Sequence, residues 1–329
     1  MQASRTPIHV LLHAGAHVRL VAARIGVPAA LALLASGACA AQDRELPPKP
    51  TVADVVKGSK PADWRALDPD NTLYLELPAG RVVIELAPAF APNTAANIRA
   101  LVRERYFDGL AVMRAQDGFV VQWGDPDEDK PRPFKAAKTV KAEFTAPLKN
   151  VAGFTRLHER DVYAPEVGHV NGFPAARDPA TAQAWIPHCY ATVGVARDNG
   201  ADTGNGSQLY TVIGHAPRHL DRNITVVGRI VDGMPLLSAM PRSAAPGGFY
   251  DKPEQRTPIA SVRLASEVPA PQRSRLEVMR TDSAAFQAVI EAQRNRGGPW
   301  NKVAAGHIDL CNVPIPVRTI DSAASAAGG

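Results

Sequence analysis

The sequence has few aromatic residues, no large excess of charge of one sign and no apolar run of membrane-spanning length. Aromatic residues make up 6% of the 329 residues, so we expect a core built mainly from Val, Leu, Ile and Ala. The net charge is +5, and it falls to +2 without residues 1–40, which hold three arginines and no acid. A protein that binds nucleic acid normally carries a stronger basic footprint. We therefore expect no nucleic-acid partner.

Apolar residues, glycine and proline are well represented. Hydrophobic residues account for 45% of the chain and charged residues for 21%, with 25 Gly and 29 Pro. This composition excludes a disordered acidic tail, a collagen and a coiled coil. The length favours one or two globular domains that bury a core of their own.

The first forty residues have the pattern of an export signal. Arg19 and Arg24 precede an apolar run over residues 25–35, and Ala38-Cys39-Ala40 supplies small residues for cleavage. The run is shorter than the ~20 residues that a spanning helix needs, and Gly and Pro interrupt it. Residues 1–40 therefore predict a secretory signal peptide and a periplasmic protein.

The three cysteines leave two questions open. Small residues precede Cys39, so a lipid anchor at this residue is the alternative to a soluble periplasmic or secreted protein. If Cys39 leaves with the signal, Cys189 and Cys311 remain. They can pair in an oxidising compartment or stay as buried thiols. The sequence does not decide between these two states.

The rest of the chain divides into three parts. They are a proline-rich linker and N-terminal arm at 41–70, a main domain at 71–267 with an insertion at 126–188, and a C-terminal extension at 268–329. The insertion reads as loop-rich, with brief strands only near Thr139–Phe144. The extension predicts a helix at Ser283–Arg294 and a strand at His307–Val313, which pack on the main domain.

The main domain predicts many short strands and two helices. Alternating apolar residues over 72–77 and 81–86, joined by Pro78-Ala79-Gly80, predict a hairpin. A helix follows at Thr94–Arg105, where Asn93 or Thr94 can cap the free amides, and a short one at Met234–Met240. Further strands are predicted at Ala111–Arg114, Phe119–Trp123, Thr192–Ala196, Gln208–Ile213, Thr225–Val231 and Ile259–Ala265. This spacing favours a closed or nearly closed antiparallel barrel.

Two segments, Val112–Asp125 and Asn205–Tyr210, carry the residues with chemical potential. The pleat places Val120 and Gln122 on one face of a strand, and Arg114 lies one strand away. A cation and an amide beside apolar side chains form a groove for an uncharged, partly apolar ligand that has a carbonyl group. An arginine on a strand is otherwise most often a solvated side chain.

These segments resemble the cyclophilin family of peptidyl-prolyl isomerases. Other similar blocks are Ala91-Pro92-Asn93-Thr94 with Asn97, Gly194–Arg197, and Leu220-Asp221 leading to Met234, all in the family's order between about residues 72 and 265. The resemblance implies a mainly β fold, a closed eight-stranded antiparallel barrel capped by two helices. It also implies an isomerase that needs no metal and no cofactor.

The resemblance assigns roles to individual residues. By position, Arg114 matches the catalytic arginine, and Gln122 matches the glutamine that binds the substrate backbone. The implied proline pocket consists of Phe119, Val120, Tyr210 and Leu220. The implied peptide groove consists of Ala196, Arg197 and Gln208, with His219 at a position where relatives often have Trp.

The implied activity is the rotation of Xaa-Pro bonds in unfolded or newly exported polypeptides. The chain departs from the family at Met113 and Ile224, where relatives usually have His, at Val120, where they have Met, and at Tyr210, where they have Phe. We therefore expect weak binding of the family's cyclic-peptide inhibitor. The alternative function is a chaperone module that binds proline-containing peptides with weak or no catalysis.

Overall fold

The computed structural model describes residues 46–127 and 130–320. The predicted signal peptide, with Cys39, lies outside the described residues. Within them, no helix combines the length and the apolar character that crossing a membrane requires.

The described chain contains short strands and four helices. The helices are α1 Val52–Gly58, α2 Pro92–Arg103, α3 Met234–Ser238 and α4 Ala284–Arg294. The strands are β1 Trp64–Ala66, β2 Thr72–Leu77, β3 Gly80–Leu86, β4 Ala111–Ala115, β5 Val120–Gly124, β6 Ala146–Pro147, β7 Phe154–Leu157, β8 Glu166–Val170, β9 Phe173–Asp178, β10 Gln183–Trp185, β11 Thr192–Val195, β12 Leu209–Val212, β13 Val226–Asp232, β14 Thr257–Pro258, β15 Ser261–Leu264, β16 Leu276–Met279 and β17 Val317–Thr319.

The largest sheet is a closed barrel. Its nine strands follow the order β14-β4-β5-β12-β11-β13-β3-β2-β15, and every pair is antiparallel. The two end strands are consecutive in the chain, and the amides between them donate to both sides, from Ile259 to Leu110 O and from Ala260 to Glu76 O. One segment therefore closes the sheet, and the predicted eight-stranded barrel is confirmed when β14 and β15 are counted together.

The interior of the barrel is mainly aliphatic, as the low aromatic content predicts. Leu73, Leu75 and Val121 point into it, and Ile98 and Leu101 of α2 pack against them. All five side chains are buried. Because the inner face is filled, residues with chemical function lie on the outer face.

The start of α2 is capped from the insertion. The sequence predicts that Asn93 or Thr94 provides the cap, but the structure shows the Glu143 carboxylate accepting from the backbone amides of both, at 3.0 and 2.8 Å. A carboxylate there also complements the positive end of the helix dipole. The predicted cap is wrong, because the helix begins at Pro92 and both residues already lie in its first turn.

The first hairpin is tighter than predicted. Leu77 pairs with Gly80, so the turn consists of Pro78 and Ala79 alone. Gly80 begins β3 with φ of 139°, a conformation that a residue with a side chain rarely adopts. The predicted three-residue turn is wrong by one residue, although the hairpin itself is present.

The insertion is more ordered than the sequence predicts. Residues 126–145 contain no strand among those that the structure describes, and the strands predicted near Thr139–Phe144 are absent from it. Residues 146–185 instead form a five-stranded antiparallel sheet with the order β6-β10-β9-β8-β7. The loop-rich prediction fails there because these strands are short, and several of their buried residues are Ala, Gly and Pro, which give no clear alternation.

The N-terminal arm and the C-terminal extension pack with the insertion and form an accessory unit. The residues predicted as a linker form α1 and β1, and β1 pairs with β16 of the extension, which also pairs with β17. Trp64, Trp185 and Phe286 share one apolar cluster, so the arm, the insertion and the extension bury their side chains together. The helix predicted at Ser283–Arg294 is confirmed, with Ser283 as its cap. The strand predicted at His307–Val313 is wrong, because that segment contains only a single 3₁₀ turn.

A disulfide bond links the residue that directly follows the insertion to the extension. Cys189 and Cys311 are 122 residues apart in the chain and are bonded, with their Cα atoms 4.9 Å apart. Cys189 belongs to the apolar cluster of the accessory unit, and Cys311 packs against it. The bond thus crosslinks two segments that the sequence separates widely.

Removing this disulfide should destabilise the protein. Closing a loop of this length restricts the unfolded chain, so the Cys189→Ser/Cys311→Ser variant should lose roughly 2–5 kcal/mol of unfolding free energy. Urea unfolding followed by tryptophan fluorescence measures the difference. Adding a reductant to the native protein should give the same shift and should leave the variant unchanged. Equal urea midpoints for the wild type and the double variant would contradict a stabilising role of the disulfide.

A buried histidine predicts loss of stability in acid. Burial and, to a smaller extent, the nearby positive charge of Arg229 lower the pKa of His169 from its usual 6.5 to about 3. Below pH 6.5 the unfolded chain binds a proton that the folded chain excludes, so stability falls as the pH falls. The His169→Leu variant should avoid about 2 kcal/mol of the loss between about pH 7 and pH 5. Urea unfolding at both pH values measures this. The exposed His215→Leu variant should keep the wild-type pH dependence, and an unchanged dependence in His169→Leu would refute the prediction.

Candidate active site on the outer face of the barrel

The site lies where β4, β5 and β12 run side by side. Arg114 pairs directly with Gln122, and Gln122 pairs with Tyr210 on its other side. The pairing between β4 and β5 shifts register between Val112 and Arg114, at the position of Met113. Such irregularities redirect side chains. Arg114 consequently lies beside the outward-facing Gln122, as the sequence predicts.

The guanidinium of Arg114 is held by three oxygen atoms. Its Nε donates to Gly247 O at 2.5 Å, Nη1 to Gln122 Oε1 at 3.1 Å, and Nη2 to Gln116 Oε1 at 2.5 Å. A guanidinium has five N–H groups. Among the hydrogen bonds of the described residues, one N–H of each terminal nitrogen therefore stays available to a ligand.

Two aromatic rings flank the guanidinium. The Cζ atom of Arg114 lies 5.5 Å from the ring centroid of Phe119 and 4.9 Å from that of Phe249. Both distances fit a cation–π contact. Burial lowers the pKa of Arg114 from its ordinary value, yet an arginine keeps its charge at neutral pH. The site thus presents a fixed positive charge in partly apolar surroundings.

A chain of amides extends from the arginine across β12. Gln122 Nε2 donates to Gln208 Oε1 at 2.9 Å, and Gln208 Nε2 donates to the backbone oxygen of Asp125 at 3.3 Å. The strands come close together here, because a Cβ on Gly124 would lie 2.7 Å from Ser207 O. Glycine at this position therefore lets the two glutamines meet.

Apolar side chains form a cavity beside these polar groups. The cavity has a volume of about 370 Å³, and its walls include all four residues of the predicted proline pocket, which are Phe119, Val120, Tyr210 and Leu220. Val120 and Tyr210 are buried and pack with Phe119. The structure therefore brings these four residues together next to Arg114 and Gln122.

The predicted groove residues fall into two groups. Ala196, Arg197 and Gln208 line the same cavity, and Arg197 is fixed by hydrogen bonds from its side chain to the backbone oxygens of Asn223 and Asp198. His219 is exposed and does not line the cavity. It lies in the 3₁₀ turn Arg218–Leu220, and the last residue of this turn, Leu220, lines the cavity instead. Contact between His219 and a bound peptide stays a prediction.

Several site residues were missed in the sequence. Two of them contact or flank Arg114. Phe249 lines the cavity, and Gly247 accepts a hydrogen bond from Arg114. Both lie in an irregular segment after α3 and far from Arg114 in the chain, so neither alternation nor spacing marks them. Asp198, Thr203, Ser207 and Ile224 also line the cavity. Within the described residues, no group of three or more His, Cys, Asp or Glu side chains is arranged to hold a metal ion.

Comparisons with known proteins agree with this geometry. The family described as cyclophilin type peptidyl-prolyl cis-trans isomerase/CLD matches residues 72–264. A probable peptidyl-prolyl cis-trans isomerase of Brucella suis is 29% identical over 192 residues, which cover 58% of this chain and 82% of the relative. Peptidyl-prolyl cis-trans isomerase-like 3 of Gallus gallus is 28% identical over 170 residues, which cover 51% of this chain and 80% of the relative.

Among solved structures, cyclophilin AquaCyp293 of Hirschia baltica is similar, with a TM-score of 0.64 and 27% identity. The match covers 83% of this chain and 100% of the other, so it extends beyond the segment that the family matches. The chain belongs to the cyclophilin-type peptidyl-prolyl cis-trans isomerases. The proteins of this family catalyse rotation about the peptide bond that precedes proline.

Loss of the Phe249 ring should weaken the site without abolishing it. The Phe249→Ala variant removes one of the two rings beside Arg114, and a partly exposed cation–π contact is worth about 0.5–1 kcal/mol. We expect kcat/KM for a short Xaa-Pro peptide to fall roughly threefold. The exposed Trp300 lies outside the cavity, so the Trp300→Ala variant is the control. An unchanged kcat/KM in Phe249→Ala would show that this ring plays no part.

Proposed function

We propose that this protein accelerates cis-trans rotation of Xaa-Pro bonds in unfolded polypeptides, with Arg114 as the catalytic residue. The observation that supports the proposal most strongly is the position of the guanidinium. It lies at the edge of an apolar cavity, with one N–H of each terminal nitrogen left over by the hydrogen bonds of the described residues.

The barrier to this rotation comes from amide conjugation. The nitrogen lone pair is shared with the carbonyl group, and turning the bond costs ~18–20 kcal/mol. A hydrogen bond donated by Arg114 to the prolyl nitrogen localises this lone pair and gives the C–N bond more single-bond character. The interaction is strongest when the bond is twisted, so it stabilises the transition state more than either planar form.

The remaining site residues hold the substrate on both sides of the rotating bond. The proline ring occupies the apolar pocket whose walls are Phe119, Val120, Tyr210 and Leu220. The side-chain oxygen of Gln122 accepts from Arg114, and its amide nitrogen donates to Gln208. These hydrogen bonds orient the Gln122 amide before a peptide backbone binds to it. The ring stays fixed while the acyl side turns, and no bond to the protein has to form.

Removing the guanidinium should separate catalysis from binding. A charged hydrogen bond contributes ~1.5–3 kcal/mol, so the Arg114→Ala variant should lose roughly tenfold to a hundredfold in kcat/KM on a short Xaa-Pro peptide. Arg242 is a nearby arginine that does not line the cavity, so the Arg242→Ala variant should keep the wild-type rate.

Two other results would each contradict the assignment. Equal rates for the wild type and Arg114→Ala would favour the alternative function, a chaperone module that binds proline-containing peptides. A wild type that binds the peptide without accelerating it would show that catalysis is lost.

The clients are proposed to be polypeptides outside the cytoplasm. Two features support export: the signal-like pattern in residues 1–40 and the Cys189–Cys311 bond, which suits an oxidising compartment. Fractionation of a Gram-negative host that expresses the full chain, with mass spectrometry of the product, tests the location. A periplasmic protein cleaved near residue 40 supports it. A membrane-bound product with lipid on Cys39 indicates the anchored alternative, and an uncleaved cytoplasmic protein refutes export.

A further inference from the structure

A buried polar chain begins at the proline pocket and ends in the insertion. The hydroxyl of Tyr210, which lines the pocket, lies 2.8 Å from His188 Nε2, and His188 Nδ1 lies 3.0 Å from Asp221 Oδ1. Arg218 Nε donates to Asp221 Oδ2 at 2.6 Å, and its two terminal nitrogens donate to the Asp161 carboxylate at 3.0 and 3.2 Å. Tyr210, His188, Asp221 and Arg218 are all buried, and the Asp161 carboxylate is equally shielded.

The direction of the hydrogen bonds in this chain follows from its carboxylates. Asp221 only accepts when ionised, so His188 Nδ1 carries the proton and donates it. In the neutral imidazole, His188 Nε2 is then the acceptor for the hydroxyl of Tyr210. Burial raises the pKa of Asp221, but the hydrogen bonds from His188 and the charge of Arg218 outweigh this effect and hold it below its ordinary value. Every link therefore joins a donor to an acceptor.

The chain fixes two walls of the cavity. The Tyr210 ring lies against the backbone of Gly194, where a Cβ would be 2.3 Å from the ring, and its hydroxyl is held by His188. Leu220 lies between Arg218 and Asp221, so the ion pairs of these two residues also fix its turn. Asp161 follows β7 in the insertion, and so the last link of the chain belongs to the accessory unit.

We infer that His188, Asp221, Arg218 and Asp161 are positioning residues that hold Tyr210 and Leu220 in place to bind the substrate proline, and that the insertion acts as a brace for this pocket. The inference rests on the proposed function, since it assigns the substrate proline to this cavity. A hydroxyl at position 210 without His188 would be a buried donor with no partner, which is costly. The tyrosine and the brace are therefore expected to act together.

The brace should affect binding more than turnover. The isosteric Asp161→Asn variant removes one of the two carboxylate charges that hold Arg218, and His188→Ala removes the partner of Tyr210. Both should raise KM and the peptide Kd about threefold to tenfold while kcat stays within about twofold of wild type. The matched control is Glu166→Gln, which breaks a 2.5 Å ion pair with Arg177 in the same insertion and does not touch the pocket. It should leave both constants unchanged.

A double variant tests whether His188 acts through the tyrosine hydroxyl. In His188→Ala/Tyr210→Phe no hydroxyl remains to be satisfied, so KM and Kd should return towards the wild-type values. Circular dichroism and urea unfolding confirm that the compared variants are folded at the assay temperature. If His188→Ala cannot be purified in folded form, Asp161→Asn against Glu166→Gln provides the test.

The outcomes separate the brace from the proposed function. Binding of a Xaa-Pro peptide without isomerisation by the wild type would refute catalysis, and the Kd values would still test the brace. Wild-type KM and Kd in both brace variants, or no recovery in the double variant, would overturn the brace. A wild type that does not bind the peptide would overturn both.

Discussion

The site depends on the hydrogen bond from Arg114 to Gln122, which joins β4 to β5 on the outer face of the barrel. Mainly aliphatic side chains fill the barrel, and the change of register next to Met113 places the arginine beside the glutamine. Without that change, the alternation along β4 would turn Arg114 to the opposite face of the sheet from Gln122. The position of the cation beside the glutamine is therefore a consequence of strand pairing, and loop residues such as Gly247 and Phe249 complete the site.

Much of the barrel could be predicted from the sequence, because its strands alternate clearly and its blocks resemble a known family. The alternation indicates that Arg114 can share a face with Gln122, and the resemblance implies the pocket around Tyr210. Phe249 could not be found this way, since it reaches the site from an irregular segment. His219 lies outside the cavity, because the 3₁₀ turn presents Leu220 to it instead.

The accessory unit was the least predictable part of the fold. Its core is assembled from three distant segments, so no single segment shows a complete hydrophobic pattern. The disulfide between Cys189 and Cys311 and the capping of α2 by Glu143 depend in the same way on contacts between residues far apart in the chain. The cap from Glu143 links the insertion to the barrel. The buried chain from Asp161 to Tyr210 links them at a second place.

A crystal structure of the protein with a bound Xaa-Pro peptide would test the role of Arg114 most directly. The proline ring should lie among Phe119, Val120 and Tyr210, with a terminal nitrogen of Arg114 within about 3.5 Å of the prolyl nitrogen. A proline ring bound outside this cavity, or a guanidinium directed only at Gly247, Gln116 and Gln122, would contradict the proposed mechanism.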